Sequence, residues 1–490
     1  MSDTQYSWDA EYDVVVLGSG ASGQSCAVYA ARHGLSVALL EKMPQLGGSS
    51  AFAEGHAAFE SDEQEKRGIT VTKDEAFRTY LDYSHWRAEP ALVSRFVENA
   101  AETIRRMRED IGAEYEEVTI TAPEQSGELV TWHLPKGEVA QLLLLLEADA
   151  RRHGVDIFTE TPAKEILTED GKVIGVRACD ADGEEVMLGA KAVVVGTGGY
   201  ASNPEMFNKF YKHPIGEKLI VVGSPGNTGD GITMVLQAGG SLSPSIGTSL
   251  LFPFMRNKTV TSHTNNAGMQ PYFWVNSEGY RFTDETVGLN FGFAGDVVAA
   301  LPGSFYWMVL DSATIDHLVN NGNEVGLGIY VRNYEKLVNL PTEIAADAEN
   351  SENVVSADTI AELAQKMGVD PDILAGEVKD YNEACHSGVD SKFHKNAKYL
   401  HAVETGPFYA IKMETGAMIT MGALRIDDKM RALNDSGEPV RGLYVVGCDA
   451  GGMYGEAYAL TVPGTANGFA LTSGWLSADD INARIHAGEL

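Results

Sequence analysis

The run Gly18-Ser-Gly20-Ala-Ser-Gly23 lies between an apolar segment, Tyr12-Asp-Val-Val-Val-Leu17, and a helical pattern from Ala21 to His33. A buried strand that turns sharply into a helix needs glycine where the chain bends and where helix and strand backbones touch. The N-terminus of such a helix offers N–H donors and the positive end of its dipole to a pyrophosphate. A second apolar strand, Leu35-Ser-Val-Ala-Leu-Leu40, ends at Glu41, 18 residues beyond Gly23, where a carboxylate can accept the hydroxyls of an adenosine ribose. Together these residues predict a βαβ unit that opens a parallel sheet and holds the ADP half of a dinucleotide.

The chain has 490 residues, more than one hydrophobic core normally supports, so two domains are expected. Its 37 Lys and Arg stand against 69 Asp and Glu, a net charge of −32 that repels nucleic acid and anionic lipid over most of the surface. Cys26, Cys179, Cys385 and Cys448 show no C-x-x-C, haem-attachment or zinc spacing, so no metal centre is expected from them. Met1 to Ala10 is polar and lacks a secretory pattern, and the most apolar helix candidate, Val139 to Leu146, is too short to span a bilayer. The expected setting is the cytoplasm.

Helical spacing recurs from Phe77 to Gly112 and from Gly137 to Gly154. Ile157 to Leu167, Lys172 to Cys179 and Glu185 to Leu188 read as an antiparallel ribbon, and Ala192 to Val195 as a further buried strand. From about Ser241 to His401 the doubly wound rhythm disappears. Strands return at Phe408 to Met413 and Gly442 to Val446, followed by a helix from Gly464 to Ala478. The expected architecture is α/β: a discontinuous Rossmann-like cofactor domain (residues 1–240 and 402–490) with an inserted α+β capping domain (241–401). Ala346 to Asn353 reads as an acidic solvated face.

Further glycine motifs follow apolar strands: Gly47-Gly48-Ser49-Ser50 after Glu41, Gly196-Thr197-Gly198-Gly199 after Ala192 to Val195, and Gly447-x-Asp449 after Gly442 to Val446. They favour FAD over NAD. With Gly229-Asp230-Gly231, Asn276-x-x-Gly279-x-Arg281-Phe282-x-x-Glu285 and Thr420-Met421-Gly422, the chain resembles, nearly end to end, the flavoprotein superfamily of soluble fumarate reductases, succinate dehydrogenase flavoprotein subunits and 3-ketosteroid dehydrogenases. The resemblance implies hydride exchange between flavin N5 and a carbon–carbon bond next to a carbonyl or carboxylate. It also implies a cofactor cradle of Gly18, Gly20, Ala21, Ser22, Gly23, Glu41, Lys42, Gly48, Ser49, Ser50, Ala163, Thr197, Gly198, Asp230, Gly447, Asp449, Gly464, Thr465 and Ala466. Members that attach FAD covalently carry a histidine near Gly48 to Ala51. This chain reads Gly-Ser-Ser-Ala there, so non-covalent FAD is expected.

Against the fumarate reductases, three charged positions are missing. Ile419 stands before Thr-Met-Gly where the family has His, Ile315 where it has Arg, and Tyr458-Ala-Leu-Thr-Val-Pro463 where a further Arg is expected. Three charged hydrogen bonds to carboxylates contribute roughly 4–9 kcal/mol, which makes fumarate a poor substrate. The segment Val462-Pro463-Gly464-Thr-Ala-Asn-Gly468 instead resembles the ketosteroid dehydrogenases, although their cap tyrosine is Leu289 here. Candidate catalytic residues are Tyr458, Tyr454, Glu456 and Glu285, the last as readily an ion-pair partner of Arg281. His56 and His263 are the histidines considered for titration near neutrality, and each reads first as structural. Phe252, Phe254, Tyr272, Phe273 and Trp274 form either cap core or an apolar pocket.

The leading expectation is an FAD-dependent ene-reductase or dehydrogenase of an uncharged cyclic, steroid-like or phenolic substrate, served by an unidentified external electron donor or acceptor. A flavin-containing non-redox hydratase or isomerase and a non-catalytic flavin sensor are the alternatives. Oligomeric state is left open.

Overall fold

The computed structural model describes residues 6–121, 127–212, 215 and 218–490; the polar N-terminal segment is therefore described only from Tyr6. Its main sheet runs, in order, Arg431–Leu433, Pro439–Val445, Lys172–Cys179, Glu185–Val195, Ala10–Leu17, Val37–Leu40 and Asp156–Phe158, with Ala163–Glu169 paired to Lys172–Cys179. Val14, Val15 and Val16 are fully buried, as a strand covered by helices on both faces requires.

The parallel register puts the functional loops at one edge. Leu17 pairs with Leu40 and Val195, and Val195 with Val445, so four strands end level. The chain leaves them into Gly18, Glu41, Gly196 and Val446-Gly447. Open α/β sheets bind ligands at this carboxyl edge.

The first helix, Ala21–Arg32, and the final helix, Thr465–His486, pack directly on each other. Ser25 Oγ donates to Leu471 O at 2.8 Å, and a Cβ on Gly474 would lie 2.3 Å from Ser22 O. Only glycine permits that approach. The expected helical insertion is present as Lys73–Tyr83, Pro90–Glu109 and Glu138–Arg152.

A second, six-stranded sheet forms the cap, ordered Ile220–Val221, Phe408–Met421, Phe305–Leu310 and Phe273–Val275, with Thr248–Phe254 and Val354–Ala357 also paired to the long strand. Both faces are buried. Tyr306, Met308 and Leu310 point into one core and Trp307 and Val309 into another, the alternation dictated by the strand period of two. Phe252, Phe254, Tyr272, Phe273 and Trp274 are all buried, three of them within these two cores. A small sheet of His56–Ala57, Trp132–Pro135 and Tyr115–Thr119 completes the described strands.

Four local expectations need correction. Phe408 to Met413 is the first half of the central cap strand and pairs with Phe305–Leu310, rather than rejoining the cofactor sheet. Its far end, Ala417, Ile419 and Met421, enters the cofactor core, so one strand serves both cores. Glu185 to Leu188 and Ala192 to Val195 are a single strand, whose first part pairs with the ribbon and whose second pairs with Pro439–Val445. Ile157 to Leu167 is two strands separated by Thr159 to Pro162, because Asp156–Phe158 joins Val37–Leu40. The acidic stretch at Ala346 to Asn353 is not wholly solvated either: Asp347 is buried and paired with Lys258 at 2.5 Å.

Candidate active site

At the carboxyl edge a cleft is lined by Gly18, Ser19, Gly20, Ser22, Glu41, Lys42, Gly48, Ser49, Ser50, Ala163, Thr197, Gly198 and Asp230. The glycines divide the work. A Cβ on Gly23 would stand 1.8 Å from Gly18 O, so Gly23 lets the helix seat on the turn. A Cβ on Gly20 would meet nothing nearer than Ser50 Oγ at 3.5 Å, so the protein leaves that approach open. Gly20 begins the helix without a side-chain cap, and no acidic residue occupies the first turn. These are the conditions for receiving a phosphate.

Glu41 is buried and held by Ser19 N (3.0 Å), Ser19 Oγ (2.5 Å) and Met43 N (2.8 Å), which fixes the carboxylate on the cleft wall. Lys42 Nζ pairs with Asp230 at 2.5 Å and donates to Thr228 Oγ1 at 2.6 Å across the same end. Ser50 Oγ accepts from Ala21 N, and Ser49 Oγ from Ser224 N and Asn227 Nδ2, so the Gly47 to Ser50 turn is stitched to the first helix and to the facing loop. Ser19, Met43, Thr161, Ser224, Asn227 and Cys448 also line the cleft and were missed in the sequence. Single hydroxyl and amide side chains in loops carry no periodicity that would reveal them.

Asp449 is present but does a different task from the one expected. It is fully buried, and its carboxylate accepts from Thr197 N (2.5 Å), Thr197 Oγ1 (2.9 Å), Gly198 N (3.2 Å) and Gly199 N (2.8 Å). It shapes the Thr197–Gly199 loop rather than facing the cleft. Gly447 N donates to Ser473 Oγ at 3.1 Å, joining this corner to the final helix.

The final helix begins at Gly464, whose φ of +85° is left-handed and whose Cβ would meet Ala57 N at 2.6 Å. Around this N-terminus several buried polar atoms lack a hydrogen-bond partner among the described residues: Thr465 Oγ1, both side-chain heteroatoms of Asn467, and the hydroxyls of Tyr454 and Tyr80. An unpaired buried polar group costs about 1–3 kcal/mol, so a cluster of them marks a place for a polar ligand edge. A flavin ring presents such an edge, and the cleft fits the ADP portion of the same cofactor.

Tyr454 and Tyr458 stand together, ring centroids 5.9 Å apart, with Tyr80 6.2 Å from Tyr454. The Tyr458 oxygen faces Ala466 N at 3.5 Å, at the positive end of the final helix. Burial raises the Tyr458 phenol, while neighbouring Thr465 and the Ala466 N–H draw it back; burial holds Tyr454 and Tyr80 well above the ordinary range. All three are protonated donors at neutral pH. Tyr83 joins them and accepts from Asn290 Nδ2 of the cap at 3.3 Å. Tyr80 and Tyr83, three residues apart on Lys73–Tyr83, are indistinguishable in sequence from helix core positions.

The other catalytic candidates fall elsewhere. Glu456 is exposed and forms an ion pair with Arg87 on the surface, not in the cleft. Glu285 is wholly buried in the cap, bidentate to Arg281 at 2.7 Å on both oxygens, with Lys395 Nζ 3.3 Å away and Asp390 on the far side of Arg281. Two positive and two negative side chains neutralise one another there, which leaves Glu285 no open oxygen for substrate. His56 is buried against the Tyr115 hydroxyl at 2.7 Å, and burial presses it down to about 3. His263 accepts from Asn339 N at 3.0 Å. Ile419 and Ile315 are buried apolar side chains, so neither fumarate-type position presents a charge.

Comparison with known proteins agrees with this geometry. A vinyl phenol reductase of Lactiplantibacillus plantarum is 37% identical over 480 residues, covering 94% of both chains. An NADH:fumarate oxidoreductase of Klebsiella pneumoniae is 29% identical over 449 residues; the match covers 91% of this chain but only 45% of that one. A 3-ketosteroid delta1-dehydrogenase structure from Sterolibacterium denitrificans superposes with a TM-score of 0.79 at 20% identity, covering 96% of this chain and 99% of that one. Among the described residues no helix is long and apolar enough to cross a membrane. The FAD binding domain family matches residues 13–461, and the chain belongs to that family as an FAD-dependent oxidoreductase acting on carbon–carbon bonds.

Proposed function

We propose that the chain reduces the conjugated vinyl group of a hydroxystyrene, an uncharged phenolic alkene, using non-covalently held FAD. The observation that carries this reading is the row of phenols Tyr458, Tyr454 and Tyr80 that starts at the N-terminus of the final helix, with Tyr83 beside it toward the cap, where no carboxylate-binding Arg or His stands at the family positions. The relative named vinyl phenol reductase, at 37% identity over nearly the whole of both chains, supports it.

FAD, when bound, supplies or removes the hydride. The second hydrogen has to reach the other alkene carbon as a proton, and Tyr458 is the residue assigned to deliver it. As its proton leaves, the negative charge left on its oxygen is met by the Ala466 N–H and the helix dipole. The buried hydroxyls of Tyr454 and Tyr80 make no hydrogen bond among the described residues and are suited to the phenol oxygen of a substrate. Ser19, Glu41 and the Gly18–Gly23 turn orient the cofactor from the other end.

Photoreduced holoprotein mixed anaerobically with 4-vinylphenol is expected to reoxidise and yield 4-ethylphenol, while fumarate leaves the flavin reduced. Reoxidation by fumarate with no response to vinylphenol would overturn the proposal. A second reading, dehydrogenation of a cyclic ketone, is favoured by the superposition on the ketosteroid enzyme. It predicts bleaching of oxidised flavin by a 3-ketosteroid.

A further inference from the structure

Outside the cleft, one group of side chains in the cap has the composition and convergence of a metal site. His317 lies in the last turn of the helix Ser312–Asn320, Glu324 in the loop that follows, and His401 in the segment leading to Phe408–Met421. One ligand atom from each lies within 4.8 Å of the other two. His317 Nε2 is 3.6 Å and His401 Nε2 is 4.0 Å from the same oxygen, Glu324 Oε1. Both separations exceed a hydrogen bond, and neither imidazole makes one among the described residues; the two rings meet edge to face with centroids 4.6 Å apart.

The surroundings hold these groups in place. Glu324 Oε2 accepts the Tyr272 hydroxyl, which aims Oε1 at the two rings, and the His401 ring packs against Tyr272 at a tilt of 43° with centroids 4.3 Å apart. Gln270, fully buried, accepts from Glu324 N (2.9 Å) and Val325 N (3.0 Å), and Asn333 Nδ2 donates to Glu324 O at 2.9 Å. A carboxylate oriented by an outer hydroxyl is the support that metal ligands require. Of the nearby charges, Lys395, though paired with Glu285, still acts as a positive charge on His401, and Asp311 opposes it with negative charge. The side chains of His317, Glu324 and His401 retain 31%, 11% and 19% of their exposure, so an ion has access.

We propose that His317, His401 and Glu324 bind one divalent first-row transition ion of the Zn2+ class. Tetrahedral Zn2+ with bonds of about 2.0–2.2 Å sets its ligand atoms roughly 3.3 Å apart, so the two His–Glu separations close by about 0.3 and 0.7 Å and the separation between the two imidazoles by at most about 1.5 Å. Two imidazoles and a carboxylate suit such ions and leave a fourth position for water. The ion pins the base of the loop that runs on to Ile329 and Tyr330. There Ile329 N donates to Glu54 Oε1 at 2.9 Å, and the Tyr330 hydroxyl donates to Glu138 Oε2 at 3.0 Å, across to the cofactor side. Zinc therefore stiffens the clasp between cap and cofactor domain.

The test uses full-length holoprotein stripped with EDTA, titrated with Zn2+ against a chromogenic chelator, and with Co2+ as a spectroscopic probe. One equivalent is expected to bind, with a Co2+ visible spectrum of low-symmetry nitrogen and oxygen ligation and a higher Tm. His317→Asn and His401→Asn each weaken the site by more than the roughly 10–100-fold expected for Tyr272→Phe, which removes only the outer hydrogen bond. His317 lies on a helix surface, so His317→Asn remains informative if substitution at His401 prevents folding. Substoichiometric binding, or equal affinity in parent and His317→Asn, would overturn the proposal. A variant whose flavin spectrum and metal-free Tm match the parent separates loss of the ion from loss of the fold.

Discussion

Gly474→Ala probes the contact between the first and final helices, whose N-termini flank the proposed cofactor site. The added Cβ would fall 2.3 Å from Ser22 O, 2.8 Å from Ser25 Cβ and 3.0 Å from Cys26 N, against ordinary contact at 3.4 Å and beyond. Two of the three obstacles are backbone atoms, so rotamer changes cannot absorb the conflict. The first and final helices have to separate by about 1 Å, a displacement whose overpacking cost is about 1–3 kcal/mol. Helix propensity returns about 1 kcal/mol of that, because alanine replaces a helical glycine. The larger consequence is positional, since Ser22 lies in the first turn that faces the cleft while Gly474 belongs to the helix that begins at Gly464. A 1 Å misplacement of groups that orient a reacting centre costs about 10²-fold in rate. The expected result is a protein that folds with a modestly lower Tm, binds FAD more weakly in apoprotein titration, and turns over about 10²-fold more slowly. If Gly474→Ala keeps parental FAD affinity and turnover, the reasoning that the two helices act as one rigid body is wrong.

Tyr458→Phe is expected to reduce turnover by about 10²-fold or more with little change in FAD affinity, measured by anaerobic reoxidation rates, whereas Glu456→Gln changes them by less than about twofold because its ion pair is exposed. Burial raises Glu54 to about 8, despite the Ile329 N–H that favours its charged form. A raised folded pKa means stability is full below the unfolded value near 4.5 and is lost as pH climbs through 8. Glu54→Gln should therefore gain Tm over the parent between pH 6 and 9, and a constant difference across that range would refute the assignment. Burial lowers His56 to about 3 and His133 to about 4, so both are neutral in the fold and protonate near 6.5 when it opens. Their contribution is complete above pH 6.5 and falls away toward pH 4, and His56→Gln should flatten the decline of Tm with acid.

What the sequence made legible was local. The strand, turn and helix from Tyr12 to His33 and the carboxylate at Glu41 could be placed because each element's cause lies within a few residues of it. The final helix and its Gly464 start were legible for the same reason, though the helix runs on to His486. The strand Phe408–Met421 was divided wrongly because a strand that passes from one core to another has no mark where it crosses. Arg281 and Glu285 sit four apart and suggest a pair, but Asp390 and Lys395 complete that pair into a closed network from more than 100 residues away. Asp449 was found by position and misread in role, since nothing in Gly447-x-Asp449 reveals four donors arriving from Thr197 to Gly199. The tyrosine cluster required tertiary structure altogether: two members come from an early helix and two from the loop before the last.

The direct seating of the first helix on the final one has a consequence for cofactor choice. Both helix N-termini are bolted to the same slab of backbone, through Ser25 to Leu471 and through Ser22 to Gly474 and Gly447. If the two helices move as one body, the span between the turn at Gly20 and the unpartnered polar groups at Thr465 is a fixed gauge rather than an adjustable jaw. A ligand that reaches only one end, such as FMN or ADP alone, gains only part of the contacts and cannot draw the other end inward to compensate. Full-length FAD is then expected to bind more tightly than FMN and ADP supplied together, because its length matches the gauge.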